Sequence, residues 1–228
     1  EFSGRVQAGR LIFYGEDFQF EYDSFIIRMP HIDSMRIYVE TEEKDRYGRP
    51  VMRQVRTVIE KINGLLEIDK PNNKAGKIPV KFYPRFTSYE KSYAYYDKQE
   101  VVGGVYDRGK FRFELEPFVF DSLDNFRNDQ IEFDGDFKSG GIFPDFEQTL
   151  RLQNDFSLGF EHHTPPEGMP MYGGKGVFYN NILLSHDGLK GDGFLEYITS
   201  TTQSNSFLFF PDSANAPAQN FVIEEQYP

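Results

Sequence analysis

The sequence predicts a mainly β protein, and three observations carry that expectation. Ala, the best helix former, occurs six times in 228 residues, whereas the strand formers Phe and Tyr occur 24 and 14 times. Apolar and polar residues alternate with a period of two in several stretches, the pattern of a strand with one face on a core and the other in water. Turn chemistry separates these stretches, at Gly103 and Gly104, Gly140 and Gly141, Gly173 and Gly174, and Asp187 and Gly188. The expected architecture is antiparallel: either a sheet sandwich or an elongated stacked-sheet, solenoid-like body, with one docked amphipathic helix at about residues 51–64.

Taken in order, strands are expected at Leu11 to Tyr14, through Phe18, Phe20 and Tyr22, at Ile26 to Met29 and at Arg36 to Glu40. The helix follows. Val51, Val55, Val58, Ile59 and Ile62 recur at spacings of three and four, with Arg53, Arg56, Glu60 and Lys61 opposite them. Pro50 suits a first helical position and Gly64 a left-handed cap, so both ends of the helix are marked. Further strands are expected at Leu65 to Ile68, Ile78 to Tyr83 and Phe111 to Leu115, with a turn over Asp69 to Asn73. Leu150, Leu152, Phe156, Leu158 and Phe160 read as one long strand or two collinear short ones. The last strands are Val177 to Leu184, Phe194 to Thr199, Ser206 to Phe210 and Phe221 to Glu225.

Leu, Ile, Val and Phe make up enough of the chain to build a core, and 228 residues suit a single β-rich domain. A weak internal similarity relates residues 9–48 to residues 105–136, and Gly9, Arg10, Ile12, Phe13 and Tyr14 also resemble Gly174, Lys175, Val177, Phe178 and Tyr179. The spacing is far longer than a solenoid repeat of about 20 to 50 residues. The chain begins without Met and contains no run near the about 20 apolar residues of a membrane span. It is therefore expected to be a piece of a larger protein, with no transmembrane segment of its own.

With 25 Lys and Arg against 36 Asp and Glu, the formal charge is −11, so a phosphate backbone would be repelled and nucleic acid is excluded as a partner. The absence of Cys removes disulfide scaffolds, thiolate metal sites and cysteine nucleophiles together. Gly173, Gly174, Lys175 and Gly176 do not meet the phosphate-loop spacing, because Gly rather than Ser or Thr follows the lysine and a strand follows the turn. His162 and His163 are adjacent, which on a strand sends them to opposite faces and prevents them from sharing a metal.

Two groups remain as candidate sites. Asp121, Asp124 and Asp129 stand in an oxygen-rich stretch that also holds Asn125, Asn128, Glu132, Asp134 and Asp136, and structural calcium is the hard cation such donors would take. Tyr89, Tyr93, Tyr95 and Tyr96 lie among Lys81, Arg85, Lys91 and Lys98, the one locally basic stretch, where aromatic and cationic groups together suit a ligand-binding surface. No enzyme motif accompanies either group, and no cofactor other than calcium is expected. The function expected is a non-enzymatic structural or interaction module of a larger bacterial cell-envelope or secreted protein, placed in the periplasm, at the outer membrane or outside the cell. Its partners would be other parts of the parent chain, another protein or a glycan. The alternatives are a carbohydrate-active enzyme or glycan-binding domain on a β scaffold, and a lipid-handling β groove.

Overall fold

The computed structural model describes residues 1–69 and 82–224. Within them the strands are β1 (Phe2–Ala8), β2 (Leu11–Glu21), β3 (Ile26–Lys44), β4 (Pro50–Gln54), β5 (Ile59–Glu67), β6 (Arg85–Ser88), β7 (Ser92–Tyr95), β8 (Phe111–Leu115) and β9 (Val119–Phe120). They continue as β10 (Glu132–Ser139), β11 (Phe146–Leu152), β12 (Leu158–His163), β13 (Met169–Met171), β14 (Gly176–Ser185), β15 (Gly188–Tyr197), β16 (Ser200–Phe209), β17 (Ala214–Asn215) and β18 (Asn220–Ile223). All join in one large antiparallel sheet, so the fold is mainly β as expected, and a division into two facing sheets is not shown. The strand expected at Ile78 to Tyr83 and the turn at Asp69 to Asn73 fall mostly outside the described residues.

The chain divides into two compact units. One comprises Glu1–Ala94 and Glu114–Asp134, the other Tyr95–Phe113 and Gly135–Pro228. In the first, β2, β3 and β5 form an antiparallel meander, with β1 on the outer side of β2 and β4 also pairing with β3. Its core is built from Leu11, Phe13, Phe18, Met35, Ile59 and Phe86, all fully buried, with Phe13 and Phe86 ring centroids 4.7 Å apart. In the second, β12, β14, β15 and β16 form the corresponding meander, and β18 adds to the far side of β16. Its core is again aromatic: Phe178 stands 5.4 Å from Phe207 and 5.0 Å from Phe209, edge to face in both cases, the arrangement favoured by the ring quadrupole.

The expected helix at 51–64 is not present; β4 and the first half of β5 take its place, and no α-helix occurs among the described residues. The helical spacing has a specific cause. Lys61 adopts φ +58° inside β5, a left-handed conformation that interrupts the alternation of the strand. Ile59 and Ile62, three residues apart on either side of this interruption, therefore both face the core. The β-branched Val and Ile residues that make up the stripe also favour strand over helix. Gly64 is not a cap: an added Cβ would lie 2.4 Å from the Phe86 ring, so it is the close-approach point of β5 and β6.

Two other readings need correction. The run from Leu150 to Phe160 is a hairpin, not a single or collinear strand, with Arg151 opposite Gly159 and Leu152 opposite Leu158. The intervening turn is held by the Asp155 carboxylate, which accepts from the Ser157 backbone N–H at 3.0 Å and its hydroxyl at 2.6 Å. In β2 Phe18 is buried, but Phe20 and, just beyond the strand, Tyr22 are exposed and pack on one another and on Phe25 at the hairpin tip. By contrast Phe111, Phe113 and Leu115 all face inward, as their alternation predicts.

Candidate functional site

The four tyrosines singled out by sequence do not form one surface. Tyr89 is exposed in the loop after β6, whereas Tyr93 is half-buried on β7, with Lys61 Nζ 5.8 Å above its ring. Tyr95 is buried under the Arg108 guanidinium at 4.0 Å. Tyr96 is 1% exposed, and its hydroxyl donates to the Leu158 carbonyl at 2.9 Å. Burial pushes the Tyr96 phenol far up, with the Asp155 charge adding to the effect. Tyr95 and Tyr96 are thus packing residues of the second unit, as their high aromatic content in a Leu-poor chain allows.

The acidic stretch is spread along a loop and stitched to the first unit. Asp121 pairs with Arg85 at 2.8 Å, and Asp129 pairs with Arg127 at 2.9 Å. The hydrogen bond from Arg127 holds the Asp129 carboxyl below the usual carboxylate range. Asp124 lies at the lip of an open cleft of about 540 Å³ lined also by Arg5, Gln7, Ile12, Tyr38 and Met52. Arg10 closes this cleft at one end. It is held by Glu40, by the Phe126 carbonyl at 2.9 Å and by the Phe126 ring at 5.4 Å. Gly9 makes the close approach that seats this turn, because a Cβ there would meet the Leu123 carbonyl oxygen at 2.2 Å. Among the described residues, no group of three or more His, Asp or Glu is arranged to hold a metal ion.

Sequence reasoning missed the second unit's solvent face. In β14, Phe178, Ile182 and Leu184 point to the core, so Tyr179, Asn181 and Leu183 point outward; in β15, Leu189, Gly191, Gly193 and Leu195 are buried, so Asp192, Phe194 and Glu196 point outward. The register places His163, Asn181 and Asp192 side by side on three neighbouring strands. Asp192 accepts from Asn181 Nδ2 at 3.5 Å and from Asn180 Nδ2 at 3.2 Å. A carboxylate only accepts, so the Asn181 amide turns its oxygen to His163 Nδ1 at 2.8 Å, and His163 donates from Nδ1. In the next row Tyr179 stands opposite Phe194, and Phe194 opposite Gln203. His162, on the other face of β12 as expected, stacks on Phe146 at 4.4 Å with its Nε2 buried and without a partner. Burial, and then the neighbouring His163, lowers its pKa.

The same unit ends in an unusual edge. In β18, Phe221 is 55% exposed, Val222 48% and Ile223 63%. Val222 is paired with Thr201, and the Glu224 N–H donates to the Thr199 carbonyl at 2.8 Å. Antiparallel alternation then turns the N–H and C=O groups of Phe221 and Ile223 away from β16, toward the side on which, among the described residues, no strand is in register with β18. None of these three residues carries a charge. Only pairwise register brings such groups together, and from the sequence alone the sole visible signal was the apolar run at 221–223.

None of the described helices is long and apolar enough to cross a membrane. Comparison with known proteins finds no matching protein family, no similar curated protein and no similar solved structure.

Proposed function

We propose that this chain is a non-enzymatic structural or interaction module of a larger bacterial cell-envelope or secreted protein, and that it joins another protein by strand addition at β18. The observation that carries the reading is the β18 edge itself. It offers outward-turned backbone groups at Phe221 and Ile223 on a strand whose three exposed apolar side chains include no gatekeeping charge. Such an edge is a template for a further strand, and natural sheets usually blunt it with Lys, Pro or a bulge. The sealed aromatic cores of both units fit a module that presents surfaces rather than a trough for lipid. The finer architecture we favour is a stacked-sheet body, in which an open edge is the natural point of continuation.

Ile223→Pro tests the reading, because it removes an N–H that the β16 pairing does not use. Immobilised wild-type protein is expected to retain a partner from an envelope extract of the source cell, and Ile223→Pro to lose it with an unchanged melting temperature. Equal retention by both proteins would rule out strand addition at this edge.

A further inference from the structure

The geometry points to a second binding site, distinct from the β18 edge: the outer face of the second unit's sheet, at Tyr179, Phe194 and the row His163, Asn181 and Asp192, binds a neutral polysaccharide. Three features identify the ligand class. First, the two aromatic residues stand directly opposite one another on adjacent strands on the outward side of the sheet, Phe194 44% exposed and Tyr179 half-buried with its ring against Gly168. An aromatic face of this kind takes up the C–H surface of a sugar ring through dispersion and the ring quadrupole. Tyr179 is steadied along the same face by its hydroxyl, which donates to Glu196 at 3.2 Å.

Second, the polar row beside the rings is fixed before any ligand arrives. His163, Asn181 and Asp192 hold one another through the hydrogen bonds described above, which leaves His163 Nε2 and Asp192 Oδ1 as outward acceptors. On the other flank of Phe194 the Gln203 amide, opposite it in register, offers donors. A hydroxyl is both donor and acceptor, so a ligand rich in hydroxyls satisfies both flanks at once, whereas a carboxylate or phosphate could use only the donors. Preorganised polar groups lose little entropy on binding, which is why a fixed row is more effective than flexible surface side chains.

Third, the charge and shape of the surface select against other ligands. The chain carries a net charge of −11, and on this face of β15 Asp192 and Glu196 outnumber Lys190, which is paired with Asp187, so a polyanion is repelled. Phe194 and His163 are exposed on this sheet face, which suits an extended polymer lying across several strands. Neighbouring strands are about 4.8 Å apart and alternate residues on one strand about 6.8 Å apart, a mesh on the scale of single sugar rings.

Affinity gel electrophoresis of the whole chain tests the assignment, with hydroxyethyl cellulose, laminarin or galactomannan in the gel and polygalacturonate as the anionic control. At least one neutral polymer is expected to retard the wild-type protein, and polygalacturonate is not. Phe194→Ala and Asp192→Asn, both at outward-facing positions, should weaken retardation by tenfold or more with little change in melting temperature. Retardation by none of the three neutral polymers overturns the assignment, as does undiminished retardation of Phe194→Ala or equal retardation by polygalacturonate. Ile223→Pro, which tests the protein-binding edge, is expected to be retarded like the wild type, so the two readings fail independently.

Discussion

At the scale of single residues, the histidine pair shows how much the backbone period alone decides. Adjacent positions on a strand face opposite ways, and the structure places His163 in water and His162 against Phe146. The depressed pKa of His162 makes stability depend on pH in a definite direction. The unfolded chain takes up a proton near the ordinary histidine value of about 6.5, while the folded chain resists it. Stability is therefore full above that value and falls as the pH drops through it toward the lower native pKa. His162→Phe is expected to flatten this part of a melting temperature against pH profile; an unchanged slope between pH 7 and 5 would exclude the cause. Gly159 illustrates a constraint that no periodicity reveals. An added Cβ would sit 1.8 Å from the Leu184 carbonyl oxygen, so Gly159→Ala should cost about 3 kcal/mol in a denaturant titration by forcing the two strands apart.

At the scale of elements, the mistaken helix and the mistaken collinear strand have two different origins. A left-handed residue inside β5, Lys61, converts a spacing of two into a spacing of three, which imitates a helical stripe at Ile59 and Ile62. The Leu150 to Phe160 run failed for another reason: Asp155 and Ser157 build a turn from side-chain hydrogen bonds inside an otherwise regular alternation. The backbone of Lys61 makes a direct prediction. Lys61 tolerates φ +58° poorly as any non-glycine residue does, and a β-branched side chain tolerates it less. Lys61→Val is expected to lower stability by about 1 to 2 kcal/mol, while Lys61→Gly relieves the backbone and at most loses the contact with Tyr93. Chemical denaturation of the two variants checks it, and an equal effect would mean that the strained backbone is not what matters there.

At the scale of the whole molecule, charge is the property most plainly written in the composition. Its surface carboxylates are partly neutralised by pairs such as Arg85 with Asp121 and Arg127 with Asp129, yet eleven excess negative charges remain. Self-repulsion of this kind is screened by salt, so the melting temperature should rise between 10 mM and 150 mM sodium chloride. A fall over that range would show that the ion pairs outweigh the repulsion. Millimolar calcium is expected to add nothing beyond an equal ionic strength of sodium, since Asp121 and Asp129 already face guanidinium groups.

Composition and alternation by themselves determined that the chain is a β protein with aromatic cores and an acidic exterior, because burial of Phe and Tyr and a period of two are local properties of a strand. They also located most strands, including the apolar run that becomes β18. Tertiary structure alone decided which tyrosines are sealed in and which are displayed, where bulges shift the register, and which polar groups become neighbours. The row His163, Asn181 and Asp192 draws on three strands up to 29 positions apart in the chain. No local rule can pair such residues, since their proximity is set by hydrogen-bond register, and one step of slip would turn every one of them to the other face.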